Sequence, residues 1–405
     1  MSHNRAARAA RAAGAAGAAA TIAVALLAAA PRAARAQVPS EPWSFVMFPV
    51  PTYSSLEGLG ATLVGGWWKS APPGPIPSGA AINPGASIST SGTETLSLTY
   101  NNTGRTPGWR FLLIGGYERF RRAPYFGLGN FSRVSDSLEA ANGGDSHYYR
   151  YSLTRTTALV GIQRRVTGPV RVLVGAQYRR YRAVPLGGAP TALGADLASG
   201  AASDTGNATG LEVRGALLFD TRDEEASPSR GLFVEAIGAR ALKGAGDFDY
   251  TRWAFDANEF FPVHSEVVLA FRQAVQLAQG AIPFYVAYER LTSWLPTDGF
   301  GGISTLRQNI QGRWLGPNTA LASVDLRYKY WDAALGLSPY RLWLVAHADV
   351  GRVWDQGERF QWSGLHTGYG VGAIAQLGRA SCFGLEVGWS PDAHLQFGTT
   401  VTLGY

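Results

Sequence analysis

Strict two-residue alternation, sustained over stretches longer than ten residues, most constrains what this chain can fold into. At 395–405, Leu395, Phe397, Thr399, Val401, Leu403 and Tyr405 fall on one face of an extended strand; Gln396, Gly398, Thr400, Thr402 and Gly404 fall on the other. At 211–222, Leu211, Val213, Gly215, Leu217 and Phe219 oppose Glu212, Arg214, Asp220 and Arg222. At 325–330, Asp325, Arg327 and Lys329 alternate with Leu326, Tyr328 and Tyr330. Side chains alternate between the faces of a sheet, so each stretch makes a strand with one apolar and one polar side. Strands of soluble sandwiches commonly stop at about 5 to 6 residues, whereas these continue and carry aromatics near their ends: Trp67 and Trp68, Tyr178 and Tyr181, Trp389. A strand that crosses a membrane needs about 10 residues, and only a closed sheet satisfies its backbone groups in lipid. No run of about 18 apolar residues follows residue 36, so a membrane helix is not the alternative there. The expected fold class is all-β, a transmembrane antiparallel β-barrel.

Composition agrees. Charged residues make up 16% of the chain, below the roughly 25% of soluble domains. The formal charge of +7 is mostly a local feature: Arg5, Arg8, Arg11, Arg32 and Arg35 lie in an acid-free leader, and the remainder carries +2. No polybasic tract remains to neutralise phosphates, which excludes nucleic acid as a partner. Residues 1–36 read as a cleaved signal peptide, with an Ala-rich apolar stretch and an Ala34-Arg35-Ala36 cleavage pattern before Gln37. An uncleaved membrane anchor is the competing reading. Export to the bacterial outer membrane follows, with 37–55 as a short periplasmic segment and 56–405 as the barrel. The single Cys382 cannot form an intramolecular disulfide.

Fourteen candidate strands lie near 57–68, 93–101, 109–120, 147–165, 170–182, 209–222, 230–242, 249–261, 265–279, 320–331, 340–354, 366–378, 381–390 and 394–405. Short connections at 223–229 and 262–265 are assigned to the periplasm. Long ones at 70–92, 121–146, 183–208 and 280–318 are assigned to the outside.

Motifs at the turns and strand ends resemble the BamA/TamA family of outer-membrane assembly barrels, the bacterial surface antigen family. Phe48-Pro49-Val50-Pro51 through Gly60 is similar to the family's entry into its first strand, and Tyr125-Phe126-Gly127-Leu128-Gly129-Asn130 to its tyrosine-glycine-x-glycine-asparagine element. Asp220-Thr221-Arg222-Asp223 followed by Pro228-Ser229-Arg230-Gly231 resembles its strand-turn-strand signature. Gly301-Gly302, Leu306-Arg307 and Gly312-Arg313-Trp314 resemble its long sixth extracellular loop. Asp325-Leu326-Arg327-Tyr328 and the run from Ala348 through Asp349 and Gly351 to Trp354 resemble the two strands after it. Phe397, Val401, Leu403 and Tyr405 mark the closing strand. The resemblance implies sixteen strands, with fourteen as the alternative, a missed pair between 70 and 150, and the long loop folded into the lumen. Two departures stand out. The family's periplasmic transport-associated domains have no counterpart in the roughly 20 residues before the first strand. Its loop tip has glycine and an aromatic after the arginine, where this chain has Gln308-Asn309.

A guanidinium folded into the lumen needs carboxylates aimed at it. Parity turns Trp343, His347, Asp349 and Gly351 inward, and Asp325 likewise. The resemblance implies that Arg307 pairs with Asp349 first and Asp325 second. The competing reading leaves Arg307 solvated and pairs Asp349 with Arg352 or Arg327. Gly368, Gly370 and Gly372 share a face, either as a seat for the loop or as a site of strand bending. The catalytic inventory is poor: no metal-ligand spacing occurs, and no serine is placed beside His347 and Asp349. The chain reads as a non-enzyme without metal or cofactor, with outer-membrane lipid and either unfolded outer-membrane proteins or a periplasmic protein as partners. The function the resemblance implies is assistance to insertion or export of envelope components; the alternative is a passive channel or structural porin-like barrel.

Overall fold

The computed structural model describes residues 43–403 apart from 55–56, 72–74, 77, 104–105, 136, 139–146, 188–189, 204, 295–296, 303, 336–337, 379–380 and 393. The leader expected at 1–36 and the closing Tyr405 lie outside these residues. Among the described residues, sixteen antiparallel strands form one sheet in chain order. They are β1 (Ser44–Ser54), β2 (Gly58–Ser70), β3 (Ser78–Ser89), β4 (Thr93–Asn102), β5 (Trp109–Pro124), β6 (Arg150–Thr167), β7 (Val170–Pro185), β8 (Gly206–Asp220), β9 (Gly231–Ala241), β10 (Asp249–His264) and β11 (Val267–Ala281), then β14 (Asn318–Leu335), β15 (Ser338–Trp354), β16 (His366–Leu377), β17 (Ser381–Ser390) and β18 (His394–Leu403). Between β11 and β14, the two-residue strands β12 (Glu289–Arg290) and β13 (Thr297–Asp298) pair as a separate ribbon.

The sixteen strands match the number the resemblance implied, and the two missed by alternation are β1 and β3. Only β3 lies between 70 and 150. The other precedes residue 56, so the barrel begins within the segment assigned to the periplasm. Pro49 and Pro51 hide β1, yet every residue from Ser44 to Ser54 pairs with β2. Proline is tolerated where a strand has little pairing on its other side, and among the described residues β1 meets β18 at one register pair, Ser54↔Gly398. The 70–92 segment is likewise not a long loop. Its second half is β3, whose sequence SGAAINPGASIS lacks bulky alternating residues but pairs with both β2 and β4.

Burial follows parity in the opposite sense to a soluble protein. Leu96, Leu98, Val174, Leu217, Leu326, Leu344 and Leu385 are exposed on the outer wall, whereas Arg155, Gln177, Glu212, Arg214, Arg252, His347 and Asp349 are buried inside. Apolar-out, polar-in strands suit a lipid-facing wall around a polar lumen. The long connections β5–β6, β7–β8 and β11–β14 share one end of the barrel, together with the tight β1–β2, β3–β4 and β17–β18 turns, whereas the other end carries short turns throughout. The helix α1 (Ala192–Ser199) caps the β7–β8 connection, and α2 (Phe284–Ala287) opens the β11–β14 loop.

Candidate functional site

The β11–β14 loop turns into the lumen because its first residues are apolar and aromatic. Phe284, Tyr285, Val286 and Ala287 are buried against Tyr125, Tyr151, Tyr181 and Phe248. Stacked and edge-on rings add roughly 0.5–1.5 kcal/mol per pair beyond area burial, and Tyr181 and Tyr285 lie 4.8 Å apart. The chain then carries Glu289 to the far side of the cluster. There its carboxylate accepts from Arg155 Nη1 at 2.8 Å, pairs with Arg179, and accepts from the Tyr181 hydroxyl at 3.3 Å. Two inward arginines thus share an anion carried by the loop, and Arg155 also pairs with Glu118 of the neighbouring strand β5.

Further along, the loop folds back on itself, with Trp314 N donating to Phe300 O at 3.1 Å. The Trp314 ring stacks on His366 of β16 at 3.7 Å. The Thr305 hydroxyl accepts from Gly301 N and donates to Gly299 O, both at 3.0 Å, closing the hairpin. This delivers Arg307 to β14 and β15. Its Nε donates to Asp349 Oδ2 at 2.9 Å and its Nη2 to Asp349 Oδ1 at 2.6 Å, while the Arg307 backbone N–H donates to the same Oδ2 at 2.8 Å. The same Nη2 lies 2.6 Å from Asp325 Oδ1, and the second oxygen of Asp325 accepts from Arg327 at 3.1 Å. Burial disfavours the guanidinium's charge, but the Asp349 hydrogen bond and the two carboxylates outweigh that cost and raise its pKa above the ordinary arginine value. Arg352, offered by the competing reading as the partner of Asp349, donates instead to the carbonyls of Gln361 and Ser363.

The wall opposite the arginine lacks side chains where the loop touches it. A Cβ at Gly368 would lie 2.1 Å from Arg307 O, and one at Gly388 would lie 2.6 Å from Gln308 Cγ. The phenyl ring of Phe300 fills the space beside Gly351. Asn309 Nδ2 fastens the loop tip to Thr367 O at 3.2 Å. Gln308, the residue that stands where the family's tip has glycine, has φ +62°, a conformation that costs an L residue roughly 1–2 kcal/mol.

Arg307, Asp349 and Asp325 therefore meet in one place, while Gly351, on the same strand as Asp349, faces Phe300 of the loop. The strand-turn motif does not join them: Asp220, Arg222, Asp223, Pro228 and Gly231 belong to the β8–β9 turn at the barrel's other end. There Arg222 Nη2 pairs with Asp220 at 2.9 Å, Asp223 accepts from Ser229 N at 2.9 Å, Pro228 is buried, and Gly231 has φ +105°. Phe397, Val401 and Leu403 lie on β18, their side chains outside what is described. The residues missed by sequence reasoning are those whose partners come from distant loops. Asn130 receives Val353 N at 3.0 Å and donates to Gly364 O at 2.7 Å, and Arg313 bonds Ser132 O at 2.8 Å and pairs with Asp392. Both lie within motifs that carry the family resemblance, their only signal in the sequence. No group of three or more His, Cys, Asp or Glu placed to hold a metal occurs among the described residues.

A sixteen-stranded antiparallel barrel with a loop clasped inside defines a class of outer-membrane barrel, and comparison gives the class its family. Residues 95–389 match the Omp85 superfamily domain. The chain belongs to that superfamily, as a BamA/TamA-like barrel. Its fold is similar to that of BamA from Haemophilus ducreyi lacking POTRA domains 1–3, with a TM-score of 0.56 at 13% identity, covering 89% of this chain and 70% of that one. CdiB from Escherichia coli gives a TM-score of 0.53 at 11% identity, covering 91% of this chain and 68% of that one. CdiB from Acinetobacter baumannii gives 0.51 at 11% identity, covering 90% of this chain and 60% of that one. This chain thus spans less than two thirds of the Acinetobacter protein's length. No curated protein matches the sequence.

Proposed function

We propose that this barrel resides in the bacterial outer membrane and assists the insertion or export of outer-membrane or envelope proteins, working at its wall rather than by conduction through its lumen. The observation that carries this reading is the clasp of Arg307 on Asp349 and Asp325, which holds a long loop across the lumen by buried charges that are costly to separate. A bore filled in this way suits a porin poorly. A weak seam supports the same reading: among the described residues β1 and β18 share one register pair, and Pro49 and Pro51, two residues apart, leave two donors missing on the same side of β1. Lateral opening there would offer a free strand edge to an incoming chain. Outer-membrane lipid, unfolded barrel proteins and a periplasmic protein supplying receiving domains are the partners this reading calls for.

The test is reconstitution of the exported chain in liposomes with a denatured outer-membrane barrel as substrate, beside an Arg307→Ala variant and empty vesicles. Acceleration of substrate folding that the variant loses supports the proposal. Absence of acceleration together with steady ion conductance supports the passive-channel reading instead. A Ser54→Cys/Gly398→Cys disulfide across the seam should block the acceleration, and full activity in the oxidised form would rule out seam opening.

A further inference from the structure

The β8–β9 turn does more than join two strands. Neighbouring strands lie about 4.8 Å apart, so β17, six strands round the wall from β9, is roughly 29 Å away along it. Yet the turn touches β15, β16 and β17 on one side and β5 on the other. Glu224 Oε2 accepts from Arg341 Nη1 of β15 at 2.7 Å, and Glu224 Oε1 accepts from Gln376 Nε2 of β16 at 2.9 Å. Ala226 O lies 3.9 Å from Cys382 Sγ of β17. In the opposite direction, Glu225 pairs with Arg110 of β5, with both side chains almost wholly buried, and Arg110 Nη1 lies 3.2 Å from Glu225 Oε2. Glu225 N donates to Pro75 O of the β2–β3 turn at 3.0 Å. Only a segment lying across the short-turn mouth can reach all these walls.

The turn is also braced from within, as a strap must be. Arg222 spans Asp220 and the Glu225 carbonyl, and Asp223 accepts backbone N–H groups from Ser229 and Arg230. Two adjacent glutamates, pointing to opposite walls, each meet a wall arginine. A turn needed only to reverse the chain requires neither contact.

We propose that residues 221–230 form a second closure of the barrel, a strap across the short-turn mouth fastened by Glu225–Arg110 and Glu224–Arg341, and released independently of the Arg307 loop. The two fasteners are separate ion pairs on separate strands, so the lumen is shut at both ends by different devices. Passage into the lumen from the short-turn side, by an ion or by a segment of a client chain, requires the strap to lift.

Cys382 is the only cysteine of the chain and is buried beneath the strap, so its reactivity reports the strap's position. The experiment is the labelling rate of Cys382 by a membrane-impermeant maleimide in the folded full-length barrel, in wild type, Glu224→Gln/Glu225→Gln and Arg307→Ala, with folding checked by heat-modified gel mobility. Charge-assisted hydrogen bonds are roughly twice as strong as neutral ones, so the double variant, which neutralises both fasteners, should label at least about tenfold faster than wild type. Arg307→Ala should label at the wild-type rate. Equal rates in wild type and the double variant overturn the proposal, and so does equal acceleration by Arg307→Ala. If the double variant does not fold, Ala226→Cys decides: oxidation should give a disulfide to Cys382 in the folded barrel, and failure to form it overturns the strap.

Discussion

Arg307 and Asp349 are joined by three hydrogen bonds, two from the guanidinium and one from the arginine's own backbone N–H. Asp349 thus fixes both where the side chain points and where the loop's main chain lies. Asp325 bonds only the side chain and shares itself with Arg327.

The asymmetry gives an ordered prediction. Asp349→Asn leaves the cation facing one carboxylate and misdirects a donor toward the Arg307 N–H, and should destabilise the loop by about 3 kcal/mol, the low end for breaking a buried pair. Asp325→Asn should cost about 1–2 kcal/mol, in the range of one charged hydrogen bond. Hydrogen exchange across residues 299–313 measures both, and a larger effect at Asp325 would contradict the assignment.

Gln308 invites the reverse experiment. Its φ of +62° is free to glycine, so Gln308→Gly relieves strain while adding some unfolded-chain entropy, and should stabilise the seated loop by roughly 0.5–1 kcal/mol. Destabilisation, read as a lower denaturant midpoint, would mean that the side chain's packing on β17 outweighs the backbone term.

The seat is tested at Gly368. Valine there would drive a side chain into the Arg307 carbonyl, which already lies 2.1 Å from an ideal Cβ. The loop should unseat, Trp314 should leave its stack on His366, and tryptophan emission should shift to the red. An unshifted spectrum would show that the loop tolerates the intrusion.

A pH prediction follows from Tyr125, just beyond β5. Burial, then the hydrogen bond to Asp196 at 2.7 Å, holds its phenol well above its ordinary value. Because the folded pKa is the raised one, the contribution is complete below the unfolded value of about 10 and is lost as pH rises toward the folded one. The difference spectrum between wild type and Tyr125→Phe should show no phenolate near that pH until the barrel unfolds. Titration near the ordinary value would contradict the buried contact.

Much of the wall was legible because period-two alternation is imposed directly by a lipid outside and a polar lumen inside. Strands β1 and β3 escaped for a physical reason: Pro49, Pro51, Pro84 and the small residues around Gly79 and Gly85 carry no alternation, and only pairing with neighbours makes them strands. The Arg307 partners were legible through parity, which turns Asp325 and Asp349 inward, combined with the family resemblance. The Glu289 pairings with Arg155 and Arg179 were not, because they depend on the route the loop takes. The same holds for the reach of Glu224 to Arg341, which pattern along one strand cannot encode.

On the function proposed above, the clasp itself, and not merely the presence of a barrel, is needed to fold a client. A mutant cycle on the liposome assay tests it most directly: the acceleration of substrate folding in wild type, Arg307→Ala, Asp349→Asn and the double variant. If the two residues act as one device, the double variant loses no more than the worse single one. Losses that multiply, or full acceleration in every variant, would contradict it.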